Sequence, residues 1–161
     1  MYDFRADPAL PKAELYSELV AAADALTAGE PDGVANMANV AALLWDMLPQ
    51  VNWTGFYRMI DGELVLGPFA GRPACIRIPL GRGVCGTAAL SGQTQLVEDV
   101  HAFPGHIACD SRSESEIVVP VLDASGALIA VFDVDATVKA AFDEQDQVAL
   151  ERLMARVFAA G

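Results

Sequence analysis

The sequence predicts an α+β fold: a central, mostly antiparallel sheet of about six strands, with helices on one face and loops closing a pocket on the other. Three observations predict it. The first fifty residues carry apolar side chains at helical spacing, the period then changes to two at Asn52, and hairpin-type turns join the segments that follow. The 161 residues are read as one domain over 1–161, long enough to bury a core without a disulfide or a metal.

Lys12 to Thr27 places Leu15, Leu19, Ala22, Ala23 and Leu26 on one helical face. Gly33 to Leu48 does the same with Val34, Met37, Val40, Ala41, Leu44 and Leu48, after a break at Gly29-Glu30-Pro31-Asp32. Asn52 to Ile60 reads as a strand, Asp61-Gly62 as a two-residue turn and Glu63 to Leu66 as the returning strand. Alternation sets Trp53, Gly55, Tyr57 and Met59 on one face and Thr54, Phe56 and Arg58 on the other. Trp53 and Tyr57 fit ordinary core or the wall of a small pocket, because each joins an apolar ring to one hydrogen-bonding atom.

Cys75 to Pro79 is the next strand expected, with Cys75 and Arg77 on one face. Gly81-Arg82-Gly83-Val84-Cys85-Gly86 matches the dinucleotide fingerprint in form only, since hairpin-joined strands provide no βαβ unit. A short helix over about Val84 to Leu90 follows, and its free N–H groups suit a carboxylate such as a free amino acid carries. Thr94 to Val100, Ile117 to Leu122 and Ala127 to Asp135 complete the strands. In the last of these, Ile129, Val131, Asp133 and Asp135 fall on one face, opposite Leu128, Ala130, Phe132 and Val134. Asp143 is a good N-cap for a closing helix with Leu150, Leu153, Met154 and Val157 as its apolar stripe.

A net charge of -12 argues against nucleic acid and anionic membranes as partners. No apolar run reaches a membrane span, and Met1 to Pro8 shows no basic-then-apolar leader, which together point to the cytoplasm. In that reducing compartment the three cysteines, Cys75, Cys85 and Cys109, would form a disulfide only transiently. Cys85 fits a small buried hydrophobe best.

Between His101 and Glu116 lies a polar loop of about sixteen residues without helical or strand period, longer than a connector normally is. It carries Cys109, the most reactive candidate, among the acids Asp110, Glu114 and Glu116. Those acids disfavour a resting thiolate, but clustered carboxyls raise one another's pKa and so hold a proton for donation. By parity Trp53, Tyr57, Cys75, Asp133 and Asp135 all point toward the face that this loop would cover. His101, His106 and Cys109 also read as metal ligands, but no further Cys or His completes a structural site.

The segments Asn52-Trp53-Thr54-Gly55-Phe56-Tyr57, Leu66-Gly67-Pro68-Phe69, Pro73-Ala74-Cys75-Ile76-Arg77-Ile78, Gly81 to Gly86, Glu98 to Ser111, Ser115 to Pro120 and Phe132-Asp133-Val134-Asp135 resemble the free methionine-(R)-sulfoxide reductases, which are stand-alone GAF domains. The resemblance implies a GAF-like fold, no cofactor and no metal. It also implies that Cys109 is the catalytic thiol, Cys75 its resolving partner and Cys85 an auxiliary thiol. Trp53 and Tyr57 would wall the substrate pocket, while Glu116, Asp133 and Asp135 would bind the ammonium group or activate the sulfoxide. Thioredoxin as reductant, a homodimer and the (R) preference are implied in the same way.

The residues supply a physical reason for this chemistry. A sulfoxide sulfur becomes electrophilic when its oxygen is protonated or strongly hydrogen-bonded, so a thiol beside a carboxylic acid is the pair required. The alternative is a non-catalytic GAF module that senses a small ligand. Such a sensor has no need of Cys75 and Cys109 together, and it normally adjoins an output domain.

Overall fold

The computed structural model describes Phe4, Asp7 and residues 9–159. The stretch read for a leader, Met1 to Pro8, lies largely outside the described residues. Six strands form one sheet in the order β3-β2-β1-β6-β5-β4, and every neighbouring pair is antiparallel. They are β1 Val51–Ile60, β2 Glu63–Gly71, β3 Arg77–Ile78, β4 Gln95–Val97, β5 Ser115–Leu122 and β6 Leu128–Ala136. Four α-helices accompany them: α1 Lys12–Thr27, α2 Gly33–Met47, α3 Gly83–Ser91 and α4 Glu144–Phe158.

Helices α1, α2 and α4 bury their apolar stripes on one sheet face, where Leu19, Val40, Leu44, Phe56, Phe132 and Leu150 are wholly enclosed. Each such side chain contributes about 1.5–3 kcal/mol through burial. Capping fixes the helix ends: Asp32 accepts from the N–H groups of Val34 and Ala35, and Asp143 from those of Gln145 and Asp146. Asp146 returns the bond by accepting from Asp143 N–H, closing a capping box. Its second oxygen accepts from Tyr16 Oη at 2.7 Å, so the cap also joins α4 to α1.

The opposite face is where the structure departs from expectation. Loops alone do not close it, because α3 packs there through Val84, Cys85, Ala88 and Ala89 against Trp53, Tyr57, Val118 and Val131. The close approach depends on Gly86, where an added Cβ would stand 2.5 Å from Pro79 O. Cys75 is not in a strand, since β3 spans only Arg77–Ile78 and Cys75 sits in the preceding loop. The pairing of Leu64 and Val65 with Ile78 and Arg77 extends one further hydrogen bond, from Leu66 N–H to Ile76 O, and ends before Cys75.

The sixteen-residue loop is shorter than expected as well. Val100–Ala102 forms a 3₁₀ turn, and β5 begins at Ser115, so Glu116 is a strand residue. Ile129 and Leu128 exchange faces relative to simple alternation: Ile129 packs on the three-helix side and Leu128 on the α3 side. The register shift between Val121 and Leu122 skips Ile129, and such a bulge inverts parity beyond it. From Ala130 onward the alternation holds, which keeps Asp133 and Asp135 on the α3 face.

Candidate active site

Three adjacent strands bring the predicted side chains into one patch. Register pairs Trp53 of β1 with Asp135 of β6, and Asp135 with Glu116 of β5, giving a row across the sheet. One step along, Asp133 lies opposite Gly55 and Val118. Gly55 leaves room for the Trp53 indole, whose Cη2 would stand only 2.6 Å from a Cβ added there. The indole stacks on Tyr57 and on Phe69, with ring centroids 5.8 and 5.3 Å apart, and its Nε1 donates to Arg72 O. Phe69 lies in a family-like segment but beyond the strand expected over Glu63 to Leu66, so alternation gave it no place on this face.

Glu116 and Asp133 are each only 6% exposed, and Asp135 is partly buried. Above them, in the first turn of α3, Cys85 Sγ lies 3.4 Å from Asp133 Oδ2 and 3.9 Å from Glu116 Oε1. Cys85 is therefore buried, as expected, but against carboxyl groups rather than in a purely apolar site. Asp133 Oδ1 is buried without a hydrogen-bond partner among the described residues.

Burial raises the proton affinity of all three acids. Glu116 is pushed up further by the charges of Asp133 and Asp135, and Asp135 by those of Asp133 and Asp110. Asp133 is raised to about 7 by burial, against the pull of hydrogen bonds from Cys85 and Glu116. Burial and the same acids push the Cys85 thiol and the Tyr57 phenol upward. The site thus retains protons at neutral pH. Of the acids read around Cys109, Glu116 joins Asp133 and Asp135 in this buried cluster, whereas the Arg112 guanidinium holds Asp110 well below the usual carboxylate range.

Cys75 and Cys109 are joined by a disulfide, their Cα atoms 5.9 Å apart. Cys109 is exposed and Cys75 half-buried. The turn after Cys109 is tied down by Asp110, which accepts from Arg112 Nη2 at 2.7 Å and from Asn52 Nδ2 at 3.4 Å. Asn52 also donates to Ser113 Oγ, linking the turn to β1. Neither Asn52 nor Arg112 was singled out from the sequence, although Arg112 stands two residues from an acid in a turn.

Two small cavities flank the disulfide. One, of about 30 Å³, is bordered by Arg82, Gly83, Cys85, His106, Cys109 and Glu116; the other, of about 20 Å³, by Trp53, Arg72, Pro73 and Ala74. Tyr57, Cys109, Asp110, Asp133 and Asp135 border both. His101 lies outside them, with its Nε2 3.5 Å from Glu114 Oε2. Its potential ligand atom groups with Asp99 and Glu114, so the set His101, His106 and Cys109 does not assemble, and the Cys109 sulfur is spent in the disulfide.

Comparison with known proteins agrees with this geometry. The GAF domain family matches residues 37–160. The free methionine-R-sulfoxide reductase of Escherichia coli is 49% identical over 146 residues, spanning 91% of this chain and 88% of that protein. That of Saccharomyces cerevisiae is 41% identical over 151 residues, 89% of this chain and 84% of its own length. The X-ray structure of the Neisseria meningitidis free methionine-R-sulfoxide reductase in complex with its substrate superposes with a TM-score of 0.91 at 45% identity, covering 99% of this chain and 95% of that one. With a reductase at nearly half identity and a thiol pair beside buried acids, the chain belongs to the free methionine-R-sulfoxide reductase family of GAF-domain proteins.

Proposed function

We propose that this protein reduces free L-methionine (R)-sulfoxide to methionine, with Cys109 as nucleophile and Cys75 as resolving thiol. The observation that carries the reading is the Cys75–Cys109 disulfide beside Glu116, Asp133 and Asp135, buried acids whose proton affinity is raised. In the reduced protein the Cys109 sulfur attacks the sulfoxide sulfur while a carboxyl of the cluster protonates the oxygen. Methionine leaves and the oxygen stays on Cys109 as a sulfenic acid. The Cys75 thiol then attacks that sulfur, forms the disulfide and releases water. A dithiol protein of the thioredoxin class restores both thiols and is itself oxidised, so one sulfoxide and one dithiol become one thioether, one disulfide and one water.

Selection for the free amino acid has support in the same cavity. Asp133 Oδ1 is an unmet buried acceptor suited to an ammonium group, and the α3 N-terminus at Gly83 and Val84 offers N–H groups to a carboxylate. A methionine sulfoxide within a peptide carries neither charge and leaves both sets unpaired. Trp53 and Tyr57 form the apolar wall for the S-methyl end. The reading extends to a single domain over 1–161, a cytoplasmic location and a homodimer. No helix among the described residues is long and apolar enough to cross a membrane.

The deciding assay follows NADPH consumption with thioredoxin and its reductase on free (R)-sulfoxide, free (S)-sulfoxide and a sulfoxide-containing peptide. Turnover is expected with the first substrate alone, and is lost in Cys109→Ser. Equal rates on the peptide, or a Cys109→Ser protein as active as the parent, would overturn the reading.

A further inference from the structure

Two of the three thiols have a redox task in this reading, and the third does not. Cys85 is 5% exposed at the start of α3, with its sulfur between Asp133 Oδ2 and Glu116 Oε1. A thiol is a weak donor and a weak acceptor, and toward an ionised carboxylate such as the nearer one, Asp133, it acts as the donor. A thiolate there would stand beside three acids in a water-poor site, which is the least favourable place for a second negative charge. The groups facing Asp133 are Cys85 from α3, Glu116 from β5, Asp135 from β6 and Tyr57 from β1, with Arg82, His106 and Asp110 at the cavity border.

We propose that Cys85 is a positioning residue: its S–H donates to Asp133 and fixes that carboxyl as the ionised member of the trio, leaving the mobile proton on Glu116 and Asp135. The proposal rests on the reductase reading and deepens it. It divides two tasks among three neighbouring acids. An ionised Asp133, with Oδ1 free, attracts the ammonium group of the substrate, while its protonated neighbours donate to the sulfoxide oxygen. Without the S–H bond, Asp133 competes for the proton, and both tasks are served less well at neutral pH. No electron passes through Cys85, so turnover with a dithiol reductant requires only positions 75 and 109.

The test is a pH profile of kcat/KM on free methionine (R)-sulfoxide for the parent, Cys85→Ala and Cys85→Ser. Removing the donor raises the proton affinity of Asp133. The rising limb in Cys85→Ala should therefore move up by about one pH unit, with KM at pH 7 up about fivefold and kcat changed less. Cys85→Ser, which restores an O–H donor, should return the limb toward the parent. Coincident profiles for parent and Cys85→Ala overturn the proposal. So does a Cys85→Ser protein that stalls after one turnover, or a parent protein trapped during turnover with Cys85 in a disulfide, because the thiol would then carry electrons.

Infrared spectroscopy of a Cys75→Ser/Cys109→Ser protein, where Cys85 is the sole thiol, reads the bond without any turnover. A hydrogen-bonded S–H band that shifts as the buried acids ionise is expected. A free S–H band, or none, as from a thiolate on a metal ion, overturns the proposal. Should the parent fail to reduce the free sulfoxide, the reductase reading falls, while the band still decides the hydrogen bond.

Discussion

Cys109, Cys75 and Asp133 carry the sharpest consequences at the residue scale. Cys75→Ser should yield about one methionine per chain and then stop when thioredoxin is the reductant, as measured by product quantification after rapid mixing. Continued turnover at the parent rate would remove Cys75 from the mechanism. Asp133 makes a prediction about stability. Its folded-state pKa, about 7, lies above the ordinary carboxylate value, so the native state binds the proton more tightly than the unfolded chain. The stabilisation from that proton is complete below about pH 4 and is lost as pH rises through about 7. Asp133→Asn cannot lose a proton, and its urea midpoint should fall less between pH 5 and 8 than that of the parent. Parity alone placed Trp53, Tyr57, Asp133 and Asp135 on one face, since alternation is local geometry. The same reasoning could not see that Cys85 opposes two of these acids, because that contact joins α3 to β5 and β6 across the interior.

At the scale of elements, the site depends on how α3 and α4 are seated. Gly86→Ala would drive a Cβ into the Pro79 carbonyl, and backbone cannot yield as a flexible side chain can. We expect a cost of about 1–3 kcal/mol in urea unfolding and a raised KM, as Cys85 moves with its helix. Asp146→Ala should destabilise by about 2–4 kcal/mol without altering kcat: it removes the capping box and leaves the buried Tyr16 hydroxyl unpaired. Helix limits and the α4 cap were legible because caps and 3.6-residue spacing are written in neighbouring positions. Strand limits were less so: β2 runs on to Gly71 and β4 stops at Val97, since a strand extends only as far as its partner offers hydrogen bonds.

For the whole molecule, the disulfide is the decisive feature. With the bond formed, Cys109 borders two small cavities, of about 30 and 20 Å³, rather than one continuous pocket. The oxidised protein should therefore bind free methionine (R)-sulfoxide at least tenfold more weakly than reduced Cys109→Ser, as isothermal titration calorimetry would show. Equal affinities would mean that the bond does not close the pocket. By itself the sequence determined the α+β class, the helices, the alternation of the strands and, through the resemblance of its motifs, the family and the thiol pair. Only the tertiary structure decided that α3 covers the second face, that Glu116 belongs to a strand and that Cys85 meets the acids. Periodicity is set by neighbours along the chain, whereas these three facts are set by segments tens of residues apart that meet only when the core closes.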